Sequence, residues 1–329
     1  MKQERREAKR TFTKICFIML AYNLIMLVGG IIWIGIASMR EAADRVRAAA
    51  GSVDFQTMVG NVLEDETFIT ELADRGTMSI VAVAFGMILI LAWKKKAFFK
   101  ELFLRREKKM DGKTFLCLLC IFMSIQAIIV PVYNLAEGML NYIGYTMESA
   151  NETASGISTN VSMFLYAGII GPVAEELIFR GAVLSGLKPY GKRFAIVFSS
   201  ILFGIFHGNL VQIIFAGLVG MILGYVAVEY SIWWSILIHI LNNAVFGDGL
   251  GYLLALVKEP AAEGISYGIL GAFLVAAVVI CIRKQKEIKA YYRENRIEKR
   301  YVKYFLTSIG MIVFTMVMVG LGITDIVKM

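Results

Sequence analysis

Residues 161–187 read VSMFLYAGIIGPVAEELIFRGAVLSGL. The run is long and apolar enough for a helix that crosses a bilayer, which takes about 20 residues, yet Glu175, Glu176 and Arg180 fall inside it. Charged side chains in hydrocarbon cost several kcal/mol by most estimates, so this trio requires a cavity, mutual pairing or a chemical role. The surrounding chain decides which.

Of the 329 residues, 58% are hydrophobic and 18% charged, and the mean hydropathy is +0.67. That balance lies outside the range of soluble domains and implies an integral membrane protein. The net charge of +8 does not indicate nucleic-acid binding, because Lys and Arg cluster at the ends of apolar runs, where membrane topology explains them. Cys16, Cys117, Cys120 and Cys281 all lie in apolar segments. Cys117 and Cys120 form a CLLC, but with no second CxxC and no neighbouring His they read as packing residues. The N-terminal MKQERREAKRTFTK precedes an apolar run from Ile15 to about Ser38, too long for a signal-peptide core, and reads as an uncleaved signal anchor.

Runs of transmembrane length fall near 15–38, 77–93, 114–136, 161–187, 194–210, 211–229, 232–257, 264–282 and 304–326. These predict an all-α polytopic bundle of about nine spans (eight to ten), with a possible break in the seventh near GDGLG at 247–251. Nine spans place four basic strings on one side: the N-terminus, 94–113, the Lys188, Lys192, Arg193 turn, and 283–303. The positive-inside rule makes that side, and the N-terminus with it, cytoplasmic. The opposite loops agree, since 39–76 is acid-rich and 137–160 has no Lys or Arg. The 283–303 string reads either as an amphipathic helix on the anionic leaflet or as a solvated loop. The chain divides into N-terminal helices and loops (1–160), a core of four consecutive helices (161–257), and C-terminal helices with a basic loop (258–329).

On a helix Glu176 and Arg180 stand at i and i+4 with the Glu N-terminal, the favourable order for pairing. Glu175 is rotated about 100° away, so the same Arg cannot easily neutralise both. The chain has two His residues. His207 closes LFGIFH in the fifth span, one turn after Phe203, and His239 sits in WWSILIHILNNAVF in the seventh, one turn before Asn243. Each alone could be an interhelical hydrogen-bonding residue, and Phe203 alone reads as packing. Together, these groups place nearly all strongly polar intramembrane side chains in three segments within about seventy residues.

EExxxR (Glu175, Glu176, Arg180), FxxxH (Phe203, His207) and HxxxN (His239, Asn243), in this order on transmembrane segments, resemble the CPBP family of intramembrane proteases. This family, also called the Abi or CAAX-protease family, includes the type 2 CAAX prenyl endopeptidases. The resemblance covers roughly 160–250. It implies hydrolysis of a peptide bond in a membrane-embedded or lipidated substrate by a glutamate-activated water.

Such chemistry needs a base for the water and donors for the oxyanion. Glu175, not fully committed to Arg180, is the candidate base, and His207 could position the water or share its proton. His239 and Asn243 are candidate oxyanion donors, while Glu176, Arg180 and Phe203 support them. Zinc held by Glu175, His207 and His239 is the alternative, although Asn243 suits a hydrogen-bond donor better than a ligand. The metal-free form is preferred. Two other readings use the same residues: an ion- or proton-coupled transporter, against which the lack of an internal repeat counts, and a non-catalytic scaffold or immunity protein. The signal-anchor start and small loops point to a bacterial plasma membrane.

Overall fold

Hydrocarbon offers no hydrogen-bond partners, so an apolar run must satisfy its backbone internally and becomes helix. The computed structural model, which describes residues 2–49 and 53–329, follows that rule almost throughout. Helix α1 (Lys2–Ala48) is 47 residues long, about 70 Å at 1.5 Å per residue, and so extends well beyond the hydrocarbon. Short helices α2 (Phe55–Glu64) and α3 (Glu66–Ala73) are capped by Asp54 and Asp65, which accept from the backbone N–H of Thr57 and Phe68. Helix α4 (Gly76–Leu104) kinks at Lys95, whose φ of 59° is non-helical, where the apolar run meets the basic string. Helix α5 (Gly112–Tyr142) starts at an Asp111 cap, and α6 (Glu148–Ser155) follows a two-residue strand, β1 (Tyr145–Thr146).

Helix α7 (Val161–Tyr190) carries the acidic pair and widens into π turns at Tyr166–Ile170 and Leu177–Val183. It is followed by α8 (Lys192–Phe206), α9 (Leu210–Glu229) and α10 (232–255). The last elements are α11 (Glu259–Arg283), α12 (Gln285–Glu294), α13 (Lys299–Leu306), α14 (Ile309–Thr324) and β2 (Val327–Lys328). The expected break at 247–251 is absent. Helix α10 instead passes through a π stretch at Leu241–Gly249 and continues without interruption. The 283–303 string is not a loop, since α12 and the start of α13 occupy most of it.

Among the described residues six helices (α1, α4, α5, α7, α9 and α11) are long and apolar enough to cross a membrane, and α13 with α14, bent by 58°, makes a seventh if the bent pair is one span. The other two expected spans are the ones that bear the His residues. Helix α8 has only 15 residues, about 22 Å, and α10 is diluted by His239, Asn242, Asn243 and Asp248.

Contacts between loops show which ends lie together. At one end Glu229 receives Lys108 (2.7 Å) and Lys192 (3.2 Å) and the Tyr291 hydroxyl. Glu4 takes Arg300 and Tyr301, so all four basic strings meet there. At the other end β1 pairs antiparallel with β2, and Asn160 donates to the Asp74 carbonyl. Between these ends the buried core draws on α1, α5, α7, α8, α9 and α14 together. Close packing of α8 on α9 depends on Gly204, where a Cβ would stand 2.3 Å from the Ile213 carbonyl oxygen. The α8–α9 turn then needs Gly208 at φ +60°, a backbone state that glycine adopts without a Cβ clash.

Candidate active site

The acidic pair divides its labour by rotation about α7. Glu176 points inward and is fully buried, whereas the Glu175 side chain retains 26% exposure. Glu176 has three partners. Its Oε2 lies 3.3 Å from Arg180 Nε, one turn on, and accepts from the Ser235 hydroxyl of α10. Its Oε1 lies 3.1 Å from His239 Nδ1, also on α10. A buried carboxylate is tolerable when paired and hydrogen-bonded in this way.

His239 stands between the two carboxylates, with Nε2 3.7 Å from Glu175 Oε2. An ionised carboxylate only accepts, so Nδ1 carries the proton given to Glu176. Nε2 is left as the atom that can exchange a proton on the Glu175 side. Glu175 thus stays partly accessible, with one imidazole beside it.

His207 caps the end of α8 and directs Nδ1 to the Phe203 carbonyl at 2.8 Å. A carbonyl can only accept, so this His bears its proton on Nδ1 and presents the Nε2 lone pair. The Phe203 ring packs edge-on to both imidazoles, with centroids 4.9 Å from His207 and 6.0 Å from His239. Its other neighbour is the Arg180 guanidinium carbon, 4.3 Å from the ring centroid. Phe203 is thus the common wall of the site. Asn243 is turned toward α7, where its Nδ2 donates to the Ala167 carbonyl at 2.9 Å while its Oδ1 accepts from Asn242. Gln126 of α5 completes this chain by donating to Asn242 Oδ1 at 2.8 Å.

Three contributors were not singled out by sequence. Ser235 lies one helical turn before His239, and that spacing is the signal that could have found it. Tyr22 on α1 and Tyr166 on α7 lie within electrostatic range of Glu175. Tyr22 reaches inward because α4 offers Gly86, where a Cβ would meet its ring at 2.5 Å. Nothing local in α1 marks that residue.

Among the described residues, no three His, Cys, Asp or Glu side chains gather closely enough to hold a metal ion. Glu175, His207 and His239 therefore do not form the ligand set that zinc would require in this arrangement. Cys117 and Cys120 are free thiols.

Fold and site together define a polytopic helical membrane protein with a Glu, His and Arg constellation in its interior. Residues 157–245 match the family described as Type II CAAX prenyl endopeptidase Rce1-like, and this match relates the chain to the CPBP, or CAAX protease, family of membrane hydrolases. No curated protein and no solved structure matches the chain.

Proposed function

We propose that the chain is an intramembrane endopeptidase that hydrolyses a peptide bond of a membrane-embedded or lipidated substrate. The observation that carries this reading is the split between the two carboxylates: Glu176 is held by three partners while Glu175 stays partly accessible beside His239 Nε2. A general base must be free to take a proton, and Glu175 is the one that is free. In this scheme Glu175 deprotonates a water that His207 Nε2 helps to orient, and the hydroxide attacks the scissile carbonyl. His239, fixed by Glu176, donates from Nε2 to the oxyanion once protonated. Asn243 has a second N–H beyond the one given to Ala167 and adds to the same stabilisation. Glu175 then returns the proton to the leaving amine, and the carboxylate product departs.

The helices of 161–257 carry this chemistry, and those of 1–160 and 258–329 wall it. Placing the basic end, with the N-terminus, in the cytoplasm follows the positive-inside rule. The test is cleavage of a fluorogenic library that includes farnesylated CAAX peptides by the purified protein and by Glu175→Ala, His207→Ala and His239→Ala, with and without a strong chelator. Cleavage lost in all three variants and indifferent to chelator is expected. Cleavage that persists in Glu175→Ala refutes the assignment of the base. Loss with chelator and recovery with zinc refutes the metal-free scheme.

A further inference from the structure

Asn243 ends a row of three side-chain amides that crosses from α5 through α10 to α7. Gln126 Nε2 donates to Asn242 Oδ1 at 2.8 Å, Asn242 Nδ2 to Asn243 Oδ1 at 2.8 Å, and Asn243 Nδ2 to the Ala167 carbonyl at 2.9 Å. A backbone carbonyl only accepts. It therefore fixes which end of Asn243 faces α7, and each amide fixes the next, so the direction of the whole row follows from its last member. Exchanging O and N in any single amide breaks the row.

Both Asn residues lie in the π stretch Leu241–Gly249 and Ala167 in the π turn Tyr166–Ile170, and widened turns of this kind concentrate at functional sites. Gln126 stands on α5, which carries none of the motif residues. It lines a cavity of about 110 Å³ between α5, α10 and α11, with Met123, Phe246, Leu250 and Leu270 among the other walls. Among the described residues of that lining none is titratable, and Ser266 is the one other polar side chain.

An amide held by a single N–H can swing about that bond. Accepting at Oδ1 as well fixes its plane, and with it the direction of the second N–H that the proposed mechanism aims at the oxyanion. Donation into Oδ1 also polarises the Asn243 amide and strengthens its N–H groups as donors. We propose that Gln126 is a positioning residue for hydrolysis: acting through Asn242, it sets the plane of the Asn243 amide without touching the substrate. This inference rests on the protease reading above and adds to it a residue on a helix outside the 161–257 core.

The test measures cleavage of the best peptide from the fluorogenic library by the full-length protein carrying Gln126→Met or Gln126→Glu, each with and without Asn243→Ala, and with Glu175→Gln as the blank. Gln126→Met keeps the length of the side chain and removes the donor. It should lower kcat by roughly tenfold, part of the 10²–10³ that loss of an oxyanion donor costs, and leave KM within about twofold. The residual cleavage of Asn243→Ala should fall no further when Gln126→Met is added. Gln126→Glu is the sharper variant, because an ionised carboxylate only accepts and opposes the row, whereas a protonated carboxyl donates to Asn242 and restores it. Its kcat relative to wild type at the same pH should therefore rise as pH falls, a ratio in which the titration of Glu175 cancels. That rise should vanish when Asn243→Ala is present.

Unchanged kcat in both Gln126 variants overturns the inference and leaves the protease reading intact. A loss carried by KM, or one that multiplies with the loss from Asn243→Ala, also overturns it, because either assigns Gln126 to the packing of α5 on α10. A flat pH ratio for Gln126→Glu has the same meaning. Absence of any Glu175-dependent cleavage by wild type removes the protease reading, and this inference falls with it.

Discussion

His239 Nδ1 lies 3.1 Å from Glu176 Oε1, joining α10 to α7 across 63 residues of sequence. The contact fixes the imidazole by one nitrogen and leaves the other facing Glu175. In the proposed scheme a base and its neighbour are set by a carboxylate that takes no part in the reaction, which predicts different failures for two adjacent residues.

Glu176→Gln removes the counter-charge of the fully buried Arg180 and one of the two carboxylate oxygens that accept from His239 and Ser235. Breaking a buried pair costs about 3–5 kcal/mol, so thermal unfolding in detergent should show a large loss of stability. Glu175→Gln should unfold like wild type within about 0.5 kcal/mol while peptide cleavage drops by about 10²–10⁴. Equal destabilisation by both substitutions would mean that the two carboxylates share one structural role.

Ser235→Ala deletes a hydroxyl that donates to the buried Glu176 carboxylate. Hydrogen bonds to charged groups contribute about 1.5–3 kcal/mol, and the loss should appear in thermal unfolding. A double cycle with Glu176→Gln checks the cause: once the carboxylate is gone, Ser235→Ala should cost much less. Additive losses would show that Ser235 acts through another contact.

Gly204→Ala would set a Cβ 2.3 Å from the Ile213 carbonyl oxygen, on the helix that carries His207. Overpacking of this kind costs about 1–3 kcal/mol, and both stability and cleavage should fall. Gly217→Ala on the facing helix meets nothing closer than 3.8 Å and should be tolerated in the same assays. Similar behaviour of the two variants would contradict the close α8–α9 approach.

The basic end should impose a pH dependence on stability. The Arg105 guanidinium beside Glu107 holds that carboxyl below its ordinary 4.5. Its folded value is depressed, so its contribution is present above pH 4.5 and is lost as pH falls through the lower folded value. Lys108 is held above its ordinary 10.5, first by its hydrogen bond to Glu229. That contribution is present below pH 10.5 and is lost as pH rises through the raised folded value. Melting temperatures across this range should decline at both limbs. Arg105→Gln should move the acid decline of Glu107 upward toward 4.5, and an unmoved acid limb would count against the pairing.

Helical architecture was legible because membrane-length apolar runs leave the backbone few alternatives. The Glu176–Arg180 contact was equally legible, because both residues lie on one helix at a spacing that can only bring them together. The partners of Glu176 on α10 were not, since helix periodicity says nothing about which faces of distant helices meet. The π stretch at Leu241–Gly249 was hidden for a related reason: sequence periodicity there was read against an α-helical turn. It carries Asn242 and Asn243 into the hydrogen-bond chain from Gln126 to Ala167. The inward seat of Tyr22 depends on a glycine in another helix, Gly86, and no pattern within α1 records it.

The wiring of Glu176 also has a temporal side. Arg180 emerges from the ribosome four residues after it, but Ser235 and His239 follow only 59 and 63 residues later. Until α10 is made, the arginine one turn away is the one of these three partners already present for Glu176. Synthesis of α10 supplies the remaining two bonds, so the last helix of the 161–257 segment completes the wiring begun on its first.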